Sequence, residues 1–253
     1  MLMTTAQPLL SIDALRVTYG GVTAVDNVTF DVPRGAVFGL IGPNGAGKTS
    51  LIDALTGYTR AASGRVVFAG RDITGDAPHR RARAGLARTF QSVELFDDLT
   101  VSENLAVATS RISLVSTLHD LVRPPRDRDR RAITEALELC GLEDVADRYP
   151  TELSHGRRKL VGVARALAAR PSLVLLDEPA AGLDTQESLE LGLQLQKLPA
   201  RGVTVLLVDH DMSLVLAVCD TLLVLDFGRA IATGTPEQVR TDAAVIEAYL
   251  GVP

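Results

Sequence analysis

The chain has 253 residues, of which 46% are hydrophobic and 4% aromatic, and its formal net charge at pH 7 is -5. This length can bury a substantial core and fits one large α/β domain with a helical insertion. The acidic balance disfavours non-specific binding to nucleic acid, which needs a basic surface, so we expect no nucleic-acid partner.

The compartment can also be predicted. Residues 1–7 contain neither the basic nor the apolar region of a signal peptide, and no stretch is long enough to span a membrane. We therefore expect the protein to stay in the cytoplasm. Cys140 and Cys219 lie in apolar helical contexts without C-x-x-C spacing, which predicts buried free thiols.

The N-terminal third, from about Leu9 to Gln91, has the pattern of strands around one helix. Tyr19 closes an early predicted strand, where a binding aromatic and an ordinary exposed strand residue are equally compatible with the pattern. Residues 37–41 form an apolar run that predicts a further strand, and residues 50–56 predict a helix that ends at Gly57.

A glycine-rich segment joins this strand to this helix. It meets every position of G-x-x-x-x-G-K-[ST], in which backbone N–H groups surround phosphate oxygens. The lysine reaches the outer phosphates and the hydroxyl ligates Mg²⁺. The segment consists of Gly42, Pro43, Asn44, Gly45, Ala46, Gly47, Lys48 and Thr49, followed by Ser50. The sequence therefore predicts a nucleotide-binding P-loop.

The middle of the chain, residues 92–150, is mainly helical and polar and is predicted to be an insertion between two halves of one site. Its basic stretch, residues 123–131, alternates arginine with aspartate. This alternation favours a solvated loop over a contact with lipid headgroups or a partner.

Ser154 is followed by apolar residues at helical spacing, up to Pro171. Serine is a favourable helix N-cap, so a helix N-terminus is predicted at this point. Its free N–H groups and dipole favour an anion, although an ordinary capped helix without a ligand fits the same pattern.

Two later apolar runs end in polar residues. The run at 173–176 is followed by Asp177 and Glu178, and the run at 205–208 is followed by Asp209 and His210. Because ligands of open α/β sheets bind at the carboxyl ends of strands, Asp177 suits the Mg²⁺ shell and Glu178 suits polarising an attacking water. His210 suits a hydrogen bond to the γ-phosphate and the attacking water.

Residues 153–156, L-S-H-G, precede the carboxylate strand and resemble the signature motif L-S-G-G-Q of ATP-binding-cassette (ABC) ATPases. The resemblance extends over about nine tenths of the chain. It implies that Gln91 in R-T-F-Q is the Q-loop residue that touches Mg²⁺ or water and that residues 181–184 form the D-loop. It also implies that His210 is the switch histidine and that Tyr19 stacks on adenine.

The fold implied is an α/β P-loop NTPase (RecA-like) core with an antiparallel β subdomain and an inserted helical subdomain. A single domain is expected over residues 9–253, with the core at 9–91 and 166–253. The helical subdomain with the signature motif is expected at 92–165.

The predicted site combines the residue patterns with the resemblance to ABC ATPases, and its ligands are ATP and Mg²⁺. Its predicted catalytic residues are Glu178, His210 and Gln91. The metal is expected at Thr49, Gln91 and Asp177. The predicted ATP-binding residues are Tyr19, Gly42, Pro43, Asn44, Gly45, Ala46, Gly47, Lys48, Thr49, Ser50, Ser154, Gly156 and Asp184.

In this family two subunits sandwich two ATP molecules, so the resemblance implies a second ABC ATPase subunit, identical or related. Two positions depart from the usual motif: His155 replaces a glycine and Arg157 replaces a glutamine. Arg157 could contact phosphate or ribose, or simply be solvated, and a module that closes on ATP without useful hydrolysis is the alternative.

A chain with one ABC cassette and no predicted membrane span most resembles the detachable ATPase subunit of a transporter. This resemblance implies transmembrane permease subunits as partners and a position on the inner face of the cell membrane. The chain resembles more closely the subunits of branched-chain and hydrophobic amino-acid importers. The segments that carry this resemblance are A-R-T-F-Q at 87–91, L-F-D-D-L-T-V-S-E-N-L at 95–105, D-E-P-A-A-G-L at 177–183, G-T-P-E at 234–237 and A-Y-L-G at 248–251. Such importers imply an extracytoplasmic solute-binding protein in the same system.

Several alternatives stay open from the sequence. Urea and short-chain amide importers share the pattern, and the ATPase of lipopolysaccharide export shares it less closely. A soluble ABC ATPase that takes no part in transport is a further alternative.

Residues 92–105 are expected to line the groove for a membrane partner, because Val93, Leu95 and Phe96 are apolar in a polar setting. A plain surface helix is the alternative there.

Overall fold

The computed structural model describes residues 7–89, 94–109 and 127–250. Two β-sheets and a set of helices make up these ranges. The strands are β1 (Leu10–Tyr19), β2 (Val22–Val32), β3 (Val37–Ile41), β4 (Ser63–Phe68), β5 (Arg71–Asp72), β6 (Leu86–Arg88), β7 (Leu173–Asp177), β8 (Thr204–Val208), β9 (Thr221–Asp226) and β10 (Arg229–Gly234).

The helices lie between and after these strands. They are α1 (Lys48–Thr56), α2 (Pro78–Arg83), α3 (Val101–Thr109), α4 (Asp127–Cys140), α5 (His155–Ala168), α6 (Thr185–Leu195), α7 (Met212–Val218), α8 (Pro236–Arg240) and α9 (Ala243–Leu250). Helices α3, α4 and α5 follow one another between β6 and β7. Short 3₁₀ turns lie at Glu143–Val145, Pro150–Glu152 and Pro199–Arg201.

The larger sheet has the order β10-β9-β3-β8-β7-β6, and only β10 runs antiparallel to its neighbour. Its inner strands are almost entirely apolar and buried, as expected for parallel strands covered on both faces. Alternate residues face opposite layers. In β7, Leu173 and Leu175 pack towards α1 and the second sheet, while Val174 and Leu176 pack towards α5, α6 and α7.

The smaller sheet has the order β2-β1-β4-β5 and is antiparallel. Its buried face packs with α1 and with one face of the larger sheet in a continuous hydrophobic core. The β4–β5 turn lies at Ala69 and Gly70, and both residues have positive φ angles, of 51° and 79°. The fold class is therefore the predicted one, a P-loop core with an antiparallel β layer.

Helices α3, α4 and α5 pack on one another, and their apolar residues belong to the core on the other face of the larger sheet. The helical character predicted for the middle of the chain is confirmed in its described part. One detail is wrong: residues 127–131 begin α4 and are not a loop. Asp127 and Asp129 lie in its first turn, where carboxylates are stabilised by the helix dipole. Residues 123–126 lie outside the described ranges.

The division into a core of 9–91 and 166–253 and a helical subdomain of 92–165 stays a prediction, and its second boundary falls inside α5. Cys140 and Cys219 are buried free thiols, as predicted. Within the described ranges, no helix combines the length and apolarity that crossing a membrane requires.

Candidate nucleotide-binding site

The glycine-rich segment is a loop between β3 and α1, as predicted. Gly42, Gly45 and Gly47 have φ angles of 151°, 82° and 99°, which residues with side chains rarely adopt. A Cβ on Gly47 would lie 2.3 Å from the Ala24 carbonyl oxygen, whereas a Cβ on Gly45 would meet nothing within 4 Å. The loop is thus tightly packed against β2 at one end and open at Gly45, which is the shape a phosphate cradle needs.

Lys48 begins α1 and turns its ammonium group into the loop. Its Nζ donates hydrogen bonds to the carbonyl oxygens of Gly42 at 2.7 Å and Pro43 at 3.0 Å. Burial lowers the pKa of Lys48, and the nearby charges of Glu178 and Asp177 oppose that shift. The fold therefore brings the P-loop lysine and both carboxylates into one electrostatic environment.

The β1–β2 hairpin and the β9–β10 turn flank this loop. Gly228 N–H donates to the Ala46 carbonyl oxygen at 2.9 Å, and its carbonyl accepts from Asp26 N–H. Tyr19 lies at the turn end of the same hairpin, is 48% exposed, and has its hydroxyl 3.2 Å from Thr59 Oγ1. An exposed ring at this hairpin turn, in contact with the segment after α1, fits either of the two interpretations given from the sequence.

Asp177 and Glu178 lie at the carboxyl end of β7, as predicted, next to β8. Glu178 N–H donates to the Val208 carbonyl oxygen at 2.7 Å, and the φ angle of Glu178 is 47°. A left-handed conformation in a residue with a side chain costs about 1–3 kcal/mol and is concentrated at functional sites. The tight turn after β7 therefore presents the Glu178 carboxylate at the sheet edge.

His210 comes close to Glu178, because both follow adjacent parallel strands. His210 Nδ1 lies 3.9 Å from Glu178 Oε2, and the imidazole is largely exposed. This distance lets both groups approach one reacting water without binding each other directly.

Asp209 organises the turns that follow β7 and β8. The sequence analysis did not identify it as a site residue. Its buried carboxylate accepts hydrogen bonds from Ala180 N–H at 2.9 Å, His210 N–H at 2.8 Å and Asp211 N–H at 3.0 Å. It therefore holds the segment after Glu178 against the segment that carries His210. A carboxylate directly before a histidine at a strand end was the available signal.

The predicted helix N-terminus is confirmed. Ser154 is the N-cap of α5, and its Oγ accepts a hydrogen bond from Arg157 N–H at 3.3 Å. Gly156 N–H donates to Glu187 Oε1 at 3.0 Å, and Glu187 forms a capping box with Asp184 at the start of α6. His155 packs against Gly182 of the D-loop segment. The signature segment is thus joined to the D-loop segment within one chain.

Arg157 points away from this helix N-terminus. Its guanidinium donates to Asp144 Oδ2 at 2.7 Å, and this hydrogen bond lowers the pKa of Asp144. The side chain is 42% exposed. The sequence left open whether Arg157 contacts phosphate or ribose or is solvated. In this conformation its side chain is partly solvent-exposed and forms an ion pair with Asp144.

The structure gathers the predicted residues into two groups. Lys48, Asp177, Glu178 and His210 converge at the sheet edge beside the P-loop. Gly156 and Asp184 both bond with Glu187, and Ser154 caps the helix that contains Gly156. No hydrogen bond or ion pair between described residues joins Ser154 or Gly156 to the P-loop. Gln91 lies outside the described residues. The roles assigned to all these residues stay predictions.

Two more residues near these groups were missed. Arg88 ends β6 and contacts Asp177, and the available signal was a cation directly before T-F-Q at a strand end. Glu187 is the fourth residue of a D-x-x-E capping pattern that begins at Asp184, and its second contact, across to Gly156, is not visible in that pattern.

Nucleotide and metal fit the donor set that the fold assembles. An open glycine loop, a lysine and a helix N-terminus suit a polyphosphate. The Thr49 hydroxyl and the Asp177 carboxylate are hard oxygen ligands of the type that Mg²⁺ prefers. The arrangement can bind a nucleoside triphosphate and place a carboxylate and an imidazole beside its terminal phosphate.

Known proteins share these features. Residues 25–181 match the family model of the ABC transporter, and residues 231–253 match that of the branched-chain amino acid ATP-binding cassette transporter. A crystal structure of an ABC-transporter cassette in its ADP conformation superposes with a TM-score of 0.86 at 33% identity, covering 98% of this chain and 100% of that one.

Two curated relatives match over nearly their whole length. The high-affinity branched-chain amino acid transport ATP-binding protein BraF of Pseudomonas aeruginosa is 40% identical over 252 residues, which are 97% of this chain and 99% of BraF. LivG of Escherichia coli, which carries the same description, is 39% identical over 254 residues, again 97% and 99%. The chain belongs to the ATP-binding-cassette family of transporter ATPases.

Proposed function

We propose that this chain is the ATP-hydrolysing subunit of an importer for branched-chain or related amino acids, bound to permease subunits at the cytoplasmic face of the membrane. The observation that carries the proposal is the match of residues 231–253 to the branched-chain amino acid cassette, on a chain that aligns end to end with BraF and LivG. A general cassette model covers the P-loop core and does not require this C-terminal segment.

The proposed chemistry is hydrolysis of ATP at the P-loop. The loop N–H groups and Lys48 bind the phosphates, while Thr49 and Asp177 would hold Mg²⁺, which when bound would neutralise charge on the phosphate oxygens. Glu178 orients and polarises the attacking water from the end of β7. His210, 3.9 Å from Glu178, contacts the same water and the γ-phosphate. Gln91 is the remaining proposed catalytic residue, with a contact to Mg²⁺ or water.

We also propose that two cassettes act together. Within this chain, Gly156 N–H donates to Glu187 and Ser154 Oγ accepts from Arg157 N–H, and among the described residues neither bonds with the P-loop of the same chain. We therefore assign this helix N-terminus to ATP held by a second subunit, whose phosphate would compete with the Glu187 carboxylate there. ATP then favours the closed dimer, hydrolysis removes the γ-phosphate contacts, and the attached permease moves between its two states.

The segment before α3 is the proposed contact with the permease. Asn104 is fully buried and fixes this loop, accepting from Phe96 N–H at 2.9 Å and donating to the carbonyls of Phe96, Leu99 and Thr100. Phe96 is 47% exposed on the ordered loop, whereas Leu95 packs on the core. Val93 lies outside the described residues. A loop held by a buried asparagine and presenting an exposed aromatic suits docking of a partner helix.

The first test is purification of the protein from native membranes in mild detergent, followed by identification of the co-purifying proteins. We expect two multi-span permeases, with a second cassette or a solute-binding protein. Recovery with components of lipopolysaccharide export, or without any membrane protein, would contradict the proposal in favour of an exporter or a soluble ATPase.

The substrate is tested by uptake in the native host. Deletion of the gene should abolish high-affinity uptake of radiolabelled leucine, and the wild-type gene should restore it while Glu178→Gln should not. Uptake of urea in the same strains is the control. Loss of urea uptake with normal leucine uptake would reassign the substrate.

A further inference from the structure

Arg88 connects the helix that follows the P-loop with the strand that carries Asp177. It ends β6, at the edge of the larger sheet beside β7, and its side chain is only 9% exposed. One guanidinium nitrogen, Nη1, donates to Asp53 Oδ1 at 2.6 Å, and the other, Nη2, donates to Asp177 Oδ2 at 2.9 Å. One planar group thus bridges carboxylates from α1 and β7.

Further contacts restrict the guanidinium. Nη1 also lies 3.3 Å from Thr56 Oγ1 in the last turn of α1, and the guanidinium carbon lies 5.8 Å from the centre of the Tyr58 ring. Asp177 is 12% exposed and Asp53 is 28% exposed, so these bonds form in surroundings partly shielded from water. Charge-assisted hydrogen bonds of this kind are short and directional.

We propose that Arg88 is a positioning residue for the metal-binding carboxylate. It holds Oδ2 of Asp177, leaves Oδ1 for Mg²⁺, and through Asp53 ties that carboxylate to the helix that begins with Lys48. Arg88 acts through Asp177 and does not itself contact ATP. The inference rests on the proposed function for the metal role of Asp177.

The pairing with Asp53 explains how a cation can lie beside a metal site. A lone arginine there would repel Mg²⁺ and weaken its binding. The Arg88–Asp53 pair carries no net charge, so it orients Asp177 with little change in the local field. A change of both partners to neutral residues therefore removes the orientation and keeps the local charge constant.

The test uses that charge-matched change. The double variant Arg88→Gln/Asp53→Asn is compared with wild type in binding of a fluorescent ATP analogue, first in EDTA and then during titration with Mg²⁺. We expect the Mg²⁺ concentration for half-maximal enhancement of binding to rise about tenfold, while affinity in EDTA stays within about twofold of wild type. The control is Arg65→Gln/Asp72→Asn, which removes an exposed ion pair of 2.7 Å in the smaller sheet.

The outcomes separate the possibilities. An unchanged Mg²⁺ midpoint, or equal losses of affinity with and without Mg²⁺, overturns the inference, since the second result describes a merely structural ion pair. If wild-type binding does not respond to Mg²⁺, the proposed metal role of Asp177 fails as well. If thermal unfolding shows that the double variant does not fold, Arg88→Lys decides by the same titration, because an ammonium keeps the charge and lacks the planar fork whose two nitrogens hold the two carboxylates.

Discussion

The Glu187 carboxylate accepts a hydrogen bond at 3.0 Å from the backbone N–H of Gly156, although the two residues belong to different helices. Gly156 is in the first turn of α5, and Glu187 is in the first turn of α6. A carboxylate of the protein itself therefore occupies an anion-binding N–H of the signature segment. In the proposed dimer, a phosphate of the partner's ATP approaches the same helix end.

We predict that Glu187→Gln strengthens ATP-dependent dimerisation. The amide keeps an acceptor for Gly156 N–H and is compatible with the capping box, but it removes a negative charge from beside the incoming phosphate. In a Glu178→Gln background, which slows hydrolysis, the ATP concentration for half-maximal dimer formation should fall about three- to tenfold, measured by sedimentation velocity.

Glu190→Gln is the matched control, since it removes the same charge one turn later on α6, where Glu190 is exposed and accepts a hydrogen bond from Gln186 Nε2 at 3.0 Å. Equal behaviour of the two variants would show that Glu187 serves only as a helix cap. Raised salt should shrink the difference.

Glu178→Gln should slow steady-state hydrolysis by roughly 10²–10⁴-fold, which corresponds to about 3–5 kcal/mol of barrier. The amide retains the shape of the side chain and loses the charge that polarises water, so ATP affinity should be nearly unchanged. Phosphate release by the purified protein and binding of a fluorescent nucleotide are the two measurements. A near-normal rate would remove Glu178 from its assigned role.

Lys48→Ala should weaken nucleotide binding itself, by about tenfold or more, because the ammonium that faces the P-loop carbonyls is lost. Equilibrium titration with ATP measures this directly. Lys197→Ala, at an exposed position after α6, is expected to bind like wild type. Unchanged affinity in Lys48→Ala would count against the phosphate-cradle interpretation.

Arg81→Leu should lower the free energy of unfolding by about 2–4 kcal/mol, because buried carbonyls would lose their donor. Arg81 donates to Ala54 and Leu55 carbonyls at 2.7 Å each, at the end of α1, and also to those of Thr74 and Asp76. Urea denaturation measures the loss. Arg83→Leu, on the exposed side of the same helix, should change stability little, and equal effects would contradict this account.

The two thiols should be inert in the folded protein. Burial raises the pKa of Cys140 and of Cys219 to about 12, so the reactive thiolate is scarce at pH 8. An aromatic disulfide reagent should detect no thiol in buffer and two per chain in urea. Rapid labelling of the native protein would show that one of these sites opens.

Features that depend on neighbours in the chain could be predicted from the sequence. The P-loop between β3 and α1, the N-cap at Ser154 and the strand that ends in Asp177 lie where the local patterns place them. Each follows from the conformational preference of a few consecutive residues, such as glycines at positive φ angles or a serine before a helical run.

Contacts between distant segments were decided by the tertiary structure. Arg88 and Asp177 are 89 residues apart, and Gly156 and Glu187 are 31 apart. No local pattern pairs such residues, because their meeting depends on strand order in the larger sheet and on the packing of α5 against α6. The same is true of Arg157, which pairs with Asp144 on the 3₁₀ turn before the signature segment. The sequence by itself determined the chemical groups of the site and the elements that carry them. Their partners were determined by the packing of those elements, which brings charges together through space.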